Sequence, residues 1–323
     1  MLFDREALEM ASHEAVARYH ASLFPGDTIV ADLTCGIGGD LIAIARRGPV
    51  HGFDLNADRL RYAQHNLASH HEKAQMSNQD STERIDDFEY VLLDPARRVD
   101  GRRTLHIAEF LPNPLELLDQ LKATKLAVIK LSPMIANSDL IELGGGTRFV
   151  SYGGECREVL VLLGKDAPHD WSAVHIETET RAEGNSDLYL PEPGEIADEY
   201  IFEVDPALIR AHGVRKFTED HRLQPLGASL GYLTGPAMVS SPWITGHFRT
   251  QTTLKLDRKA VRAWIRNSGA NLDAIKAAGE KFDPRKLEIE LNEKGSHSRK
   301  WIGIVYKAAG NVQFSVCERL PRI

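Results

Sequence analysis

Cysteine is scarce in this chain. There are three in 323 residues, Cys35, Cys156 and Cys317, odd in number and far apart. That excludes a disulfide-framed secreted domain and fits a reducing compartment. No Cys-x-x-Cys occurs and no paired histidine spacing suggests a metal, so none is expected. His70 and His71 are adjacent and read as a solvated helix end. No apolar run reaches membrane length and no charged-then-apolar leader follows Met1, so a cytoplasmic protein with no membrane partner is expected. Internal repeats and low-complexity tracts are also missing, which leaves an ordinary globular chain. An overall basic excess is lacking too, with a net charge of −7. That figure hides a split. Residues 1–193 hold 19 basic and 31 acidic side chains, and residues 194–323 hold 20 and 15. A basic carboxyl-terminal part suits a polyanion, and it equally suits lysines and arginines that solvate helices; charge alone leaves both open.

The length favours two domains. Helical patterning over residues 3–23 ends at Pro25-Gly26. Strands are then predicted at Thr28–Asp32, Val50–Phe53, around Met76 and at Tyr90–Leu93, with a fifth at Leu126–Lys130. Helices are predicted from Gly39 to Arg47, from Ala57 to about Ser69 and at Leu115–Leu121. Thr147–Tyr152 and Val159–Leu163 read as a terminal hairpin on the same sheet. Such alternation implies an α/β fold, a twisted sheet covered by helices on both faces. The pattern changes near Arg181–Pro193, where Tyr189-Leu190 are open to pairing as a strand. Beyond it, helices at Pro206–His212 and Arg258–Asn267 and short strands at Thr252–Leu256, Leu287–Leu291, Trp301–Lys307 and Val312–Cys317 predict a small α+β unit.

The most telling stretch is Ile29-Val30-Ala31-Asp32-Leu33-Thr34-Cys35-Gly36-Ile37-Gly38-Gly39-Asp40. It reads as a buried strand, a glycine turn and a helix start. Glycine lets the main chain turn sharply and approach a ligand closely. The next strand ends at Asp54, whose carboxylate suits two ribose hydroxyls. A glycine turn plus an acid at the next strand end is how an α/β sheet grips an adenosine. A dinucleotide site presents a bare helix start to a pyrophosphate. Here Gly39-Asp40 puts a carboxylate there, which suits instead the ammonium or sulfonium of S-adenosylmethionine. Asp80 falls after the third strand, placed to accept from an adenine amine, and Asp94 falls after the fourth. Acids at successive strand ends share the carboxyl edge of one parallel sheet, where such folds bind ligands.

These residues resemble the ordered motifs of class I S-adenosylmethionine-dependent methyltransferases. Asp94-Pro95-Ala96-Arg97-Arg98, Lys130-Leu131-Ser132-Pro133, Gly154-Glu155-Cys156-Arg157-Glu158 and Gly231-Tyr232-Leu233-Thr234 are most similar to bacterial members with a carboxyl-terminal THUMP-like domain. The likeness covers most of the chain and is more specific in its first half. It implies a Rossmann-like seven-stranded sheet over residues 1–190 and a smaller THUMP-like α+β domain over 191–323. It implies S-adenosyl-L-methionine held by Asp32, Cys35, Gly36, Gly38, Gly39, Asp40, Asp54, Leu55 and Asp80. By analogy it also implies RNA, tRNA or rRNA, as partner. Related members often carry Ile-Lys-Lys-Arg-Gly where this chain has Ile275-Lys276-Ala277-Ala278-Gly279, two cations fewer.

A methyl transfer needs little acid–base help, because the sulfonium is already activated. In amino-methylating relatives the loop after strand four reads Asp/Asn-Pro-Pro-aromatic. Here Asp94 and Pro95 keep that pattern and Arg97 takes the aromatic's place. A guanidinium plane can stack on a base or hold a phosphate. Arg98, Arg102 and Arg103 follow, four cations in seven residues, which suits a phosphate backbone. The expectation is transfer to an RNA base nitrogen, with Asp94, Pro95, Arg97 and Lys130 at the reacting centre and Arg97, Arg98, Arg102 and Arg103 on the substrate. Asp-Pro-Ala-Arg also resembles uridine C5-methyltransferases, but their cysteine nucleophile is Leu131 here, which cannot attack C6. Cys35 reads as a packing residue. Asp94, Lys130 and Glu158 are similar to part of a ribose 2′-O-methylating set whose first lysine is missing, its region holding Ser12-His13. A protein that holds S-adenosylmethionine or RNA without turnover, and a methyltransferase acting on a small molecule or protein, stay as further alternatives.

Overall fold

The computed structural model describes residues 2–3, 12–99, 102–187, 196–227, 230–278, 282–292, 299–308 and 310–321. The chain divides into two compact units, 1–186 and 187–323. The expected boundary at 190/191 and the Tyr189-Leu190 pair lie outside the described residues.

In the first unit a helix, α1 (Glu14–Ser22), precedes β1 (Val30–Asp32), α2 (Gly39–Ala45), β2 (Val50–Phe53), α3 (Ala57–Ser69), β3 (Gln75–Ser77) and β4 (Tyr90–Leu93). There follow α4 (Leu118–Ala123), β5 (Leu126–Leu131), α5 (Asn137–Leu143), β6 (Gly146–Tyr152), β7 (Glu155–Leu163), β8 (Trp171–His175) and β9 (Thr180–Glu183). The sheet order is β9-β8-β6-β7-β5-β4-β1-β2-β3. β1 lies between β2 and β4, parallel to both, and β7 is antiparallel to β5 and β6. All six residues of β5 are buried, as a strand covered on both faces requires. The core joins Leu41, Ile42 and Ile44 of α2 to Val30, Val50, Leu92 and Val128 of the sheet and to Ala17 and Ala21 of α1.

The seven-stranded expectation is corrected to nine. β8 pairs parallel with β6 and β9 antiparallel with β8, so the β6–β7 hairpin does not end the sheet. β8 and β9 are short and carry polar residues among apolar ones, which hides their periodicity. The edge strand Thr-Arg-Ala-Glu is charged, a common device against edge pairing. The predicted helix at Leu115–Leu121 begins three residues later, at Leu118.

In the second unit the elements are β10 (Tyr200–Val204), α6 (Pro206–Arg210), α7 (Val214–His221), β11 (Gln224–Pro225), β12 (Tyr232–Gly235), β13 (Ile244–Lys255), α8 (Arg258–Asn267), β14 (Ala270–Ala278), α9 (Pro284–Leu291), β15 (Arg299–Ala308) and β16 (Asn311–Leu320). They form a seven-stranded sheet, β11-β12-β10-β13-β16-β15-β14. Leu287–Leu291, expected as a strand, is helical. Asp283 caps Lys286 N at 3.0 Å, Pro284 opens the helix, and Leu287 and Leu291 are buried four residues apart. Thr252–Leu256 is the end of the long strand β13.

Candidate functional site

The carboxyl edge of the first unit's parallel strands opens on a cavity of about 1250 Å³. It is lined from one end by Asp54, Leu55 and Asp80 after β2 and β3. Its middle holds Asp32, Thr34, Cys35, Gly36 and Gly39 after β1. At the other end are Asp94, Pro95 and Arg97 after β4, Lys130 on β5 and Glu158 on β7. Strand order alone brings these distant residues to one rim.

The turn after β1 ties neighbouring strand tips together. Cys35 N donates to Phe53 O at 2.8 Å and Leu33 N to Leu92 O at 2.9 Å. Gly36 N donates to Asp54 Oδ2 at 3.0 Å, and Asp94 N to Thr34 Oγ1 at 2.8 Å. Gly38 has φ +91°, and a Cβ there would sit 3.3 Å from the Ala63 backbone, so this position needs glycine. A Cβ on Gly36 would meet nothing within 4 Å, so that side of the turn faces open space. Leu55 is 73% exposed beside Asp54, an apolar surface at the cavity with a carboxylate next to it. Asp80 spends Oδ1 on Thr82 N and Oγ1 at 2.9 and 2.7 Å, capping a short 3-10 turn. Cys35 is buried, and burial pushes its thiol far above the ordinary value, which suits packing and not attack.

Behind this rim lies a chain of buried charges. Lys130 Nζ bonds Asp40 Oδ2 and Asp94 Oδ2, each at 2.7 Å, and Ser12 Oγ at 2.9 Å. Ser12 Oγ also donates to Asp40 Oδ2 at 3.0 Å. His20, fully buried, bonds Asp40 Oδ1 at 2.7 Å through Nδ1 and Glu158 Oε1 through Nε2. The sequence runs thus Glu158–His20–Asp40–Lys130–Asp94. Burial disfavours the His20 imidazolium, but Glu158 and Asp40 outweigh it and raise the ring to about 9. Burial opposes the Lys130 ammonium likewise, and Asp40, Asp94 and Glu158 carry it well above the usual lysine value. Burial would raise Asp40, yet Lys130 and His20 hold it far below the carboxylate range. Asp32 is pushed the other way, to about 8, by burial and by Asp40. The cluster thus sets two basic side chains, His20 and Lys130, among four acids, Asp32, Asp40, Asp94 and Glu158, and this excess of acids suits a cationic ligand.

The expected site residues sort as follows. Asp32, Cys35, Gly36, Gly39, Asp54, Leu55 and Asp80 line the cavity, and Gly38 shapes the turn behind it. Asp40 also lines it, with both of its oxygens engaged by His20, Lys130 and Ser12. Asp94, Pro95, Arg97 and Lys130 come together; Asp94's side chain is 41% exposed while Lys130's is 6%. The side chains of Arg98, Arg102 and Arg103 lie outside the described residues. Their backbones pair as a two-residue antiparallel ribbon. Sequence reasoning missed His20. The available signal was its place on the buried face of α1, with Val16, Ala17 and Ala21. Ser12 was weighed only as a missing lysine, yet its hydroxyl occupies Lys130.

No protein-family model matches the chain. Two proteins of Mycobacterium tuberculosis, from strains CDC 1551 and H37Rv, are each named an uncharacterized S-adenosylmethionine-dependent methyltransferase. Both are 30% identical to this chain over 307 residues, covering 91% of it and 82% of their own length. The crystal structure of a candidate methyltransferase from Porphyromonas gingivalis W83 superposes with a TM-score of 0.82 at 20% identity, covering 98% of this chain and 83% of that one. At that identity the superposition speaks for the fold.

Proposed function

This chain belongs to the S-adenosylmethionine-dependent methyltransferases, and from that premise we propose that it methylates a base nitrogen of RNA, in tRNA or rRNA. The observation that carries the proposal is Asp94-Pro95-Ala96-Arg97 at the cavity, with Asp94 anchored by Lys130 at 2.7 Å and still partly open. The donor fits the other end. Gly36 allows close approach, Asp54 suits the ribose hydroxyls, Leu55 suits the adenine face, and the excess of acids near Asp32 suits the sulfonium and ammonium. Bound there, S-adenosyl-L-methionine supplies a methyl group that its own charge has already activated.

The protein's part is then to hold the acceptor in line. Asp94 accepts an N–H from an exocyclic amine, which turns the nitrogen lone pair toward the donor's end. Lys130 keeps that carboxylate fixed. Arg97 stacks on the base or meets a flanking phosphate. The basic bias of residues 194–323, with Arg258, Lys259, Arg262 and Arg266 all exposed on α8, supports a THUMP-like role in gripping RNA.

A second reading, ribose 2′-O methylation, draws on Lys130 between two carboxylates, with Glu158 close by. It is disfavoured by charge. A base for a 2′-hydroxyl must be neutral, and Lys130 is held protonated well above the usual lysine value. Glu158 moreover meets His20. The test is transfer of labelled methyl from S-adenosylmethionine into total tRNA and rRNA of a deletion strain, followed by nucleoside mass spectrometry. One labelled base nitrogen supports the proposal. Label in a ribose moves the assignment to the second reading. Cofactor binding without label in any RNA pool rejects both.

A further inference from the structure

The cavity is larger than the 300–1,000 Å³ usual for one small ligand, and its far end is built by residues that the donor does not need. β6 and β7 form a hairpin that overshoots the end of β5, while β8 still flanks β6 as far as Ser151. The last pairing with β5 is Leu131 with Val159, while Ser151 and Tyr152 still pair with Cys156 and Glu155 beyond it. At about 3.4 Å per residue, the tip stands roughly 10 Å above the rim. Gly153 and Gly154 have φ +68° and +76°, the conformation of a two-residue turn whose twist suits a hairpin. Glu177 braces the tip, both oxygens accepting from Gly153 N at 3.3 Å.

Three side chains gather on this overhang. His13 and Arg157 are exposed and line the cavity. Tyr152 is half-buried and lies against the His13 ring, with centroids 4.5 Å apart and 36° between planes. Arg157 is held twice, by Nε on Tyr152 O at 3.1 Å and by Nη1 on Glu155 at 2.8 Å. The result is a planar ring backed by a second ring, beside a fixed guanidinium. In the sheet order β7-β5-β4-β1-β2-β3 this group is two strands from β4, about 10 Å, and five from β3, about 24 Å. It thus lies on Asp94's side of the cavity, away from the Asp54 and Asp80 end.

We infer that His13, backed by Tyr152 and flanked by Arg157, is a stacking site for a nucleotide of the acceptor RNA, set apart from the donor's end of the same cavity. The inference rests on the RNA reading above. Base stacking tolerates any base, so the platform orients the strand while Asp94 selects the amine. Tyr152 acts through His13 and is a positioning residue.

The variants are chosen to separate stacking from folding. His13 also caps α1, its Nδ1 accepting from Ala15 N at 3.2 Å. His13→Asn keeps a cap acceptor and removes the ring, whereas His13→Phe keeps a ring and removes the cap. Binding of the full-length protein to single-stranded 12-nucleotide RNA oligomers is read by fluorescence anisotropy, and S-adenosylhomocysteine binding by calorimetry. His13→Asn and Arg157→Ala should each weaken RNA binding about tenfold or more, and His13→Phe should restore most of the loss, with S-adenosylhomocysteine affinity unchanged in all three. RNA binding equal to wild type in His13→Asn and Arg157→Ala overturns the inference and leaves the RNA proposal standing. A parallel loss of S-adenosylhomocysteine binding also overturns it, since the hairpin would then serve the donor. Wild-type protein that binds the donor product but neither binds nor methylates RNA removes the proposed function and the platform's occupant together.

Discussion

Replacing His20 by leucine removes a buried cation from between Asp40 and Glu158 while keeping an apolar group on the buried face of α1. Two routes give its magnitude. Removing one partner of a buried ion pair costs about 3–5 kcal/mol, because the remaining carboxylates lose their compensation. The upward shift of the ring from 6.5 to about 9 corresponds to roughly 3 kcal/mol of favourable interaction with the imidazolium. The two agree. The sign follows from a folded value above the unfolded one. The contribution is complete below about pH 6.5 and is lost as pH rises through 9. Urea unfolding of wild type and His20→Leu at pH 6, 7.5, 9 and 10 measures it. The variant should be about 3 kcal/mol less stable at pH 6, and the gap should narrow steadily by pH 10. Asp32 titrates in both proteins near 8 and cancels to first order in the difference. A deficit of the same size at pH 6 and pH 10 would refute the charged bridge and leave His20 as a packing group only.

Asp54→Asn should weaken S-adenosylhomocysteine binding by about 10- to 100-fold, since one or two charge-assisted hydrogen bonds are worth roughly 1.5–3 kcal/mol; calorimetry that finds equal affinity rejects Asp54 as the ribose acceptor. Donor binding should release a proton near pH 7.5. Asp32 is protonated below about 8, and a cation arriving beside it favours the carboxylate. Binding enthalpies measured in buffers of different ionisation enthalpy should therefore diverge, and coincident values count against a cationic moiety near Asp32. Gly145→Ala should destabilise the first unit by more than about 2 kcal/mol, because φ is +77° and a Cβ would stand 2.2 Å from Leu162 O. A thermal midpoint within a degree of wild type would mean that the β6–β7 backbone can shift.

Much of the fold was legible in the residues themselves. The apolar runs at Val30, Val50, Tyr90–Leu93 and Leu126–Lys130, each followed by a turn, predict central parallel strands, and Asp32, Asp54, Asp80 and Asp94 at the ends of the first four strands predict one shared rim. The second unit was harder to read. Leu287–Leu291 was expected as a strand because five residues with alternate apolar positions satisfy both periods. Asp283-Pro284 decided for a helix through the cap. β8 and β9 escaped because they are short and carry polar residues among the apolar ones, β9 at the sheet's edge, which weakens the alternation.

The sequence by itself determined the strand–turn–helix order, the glycine turn and which carboxylates reach the carboxyl edge, because these follow from local periodicity and backbone conformation. Only the tertiary structure decided what those carboxylates do. It joined Ser12, just before α1, and His20, on it, to Asp40, Lys130 and Glu158, up to 138 residues away, and so balanced Asp40 from within and left Asp94 open. Such pairings depend on burial and distance across the sheet, and electrostatic energies in a low-dielectric interior are set by those two quantities, which no local pattern encodes.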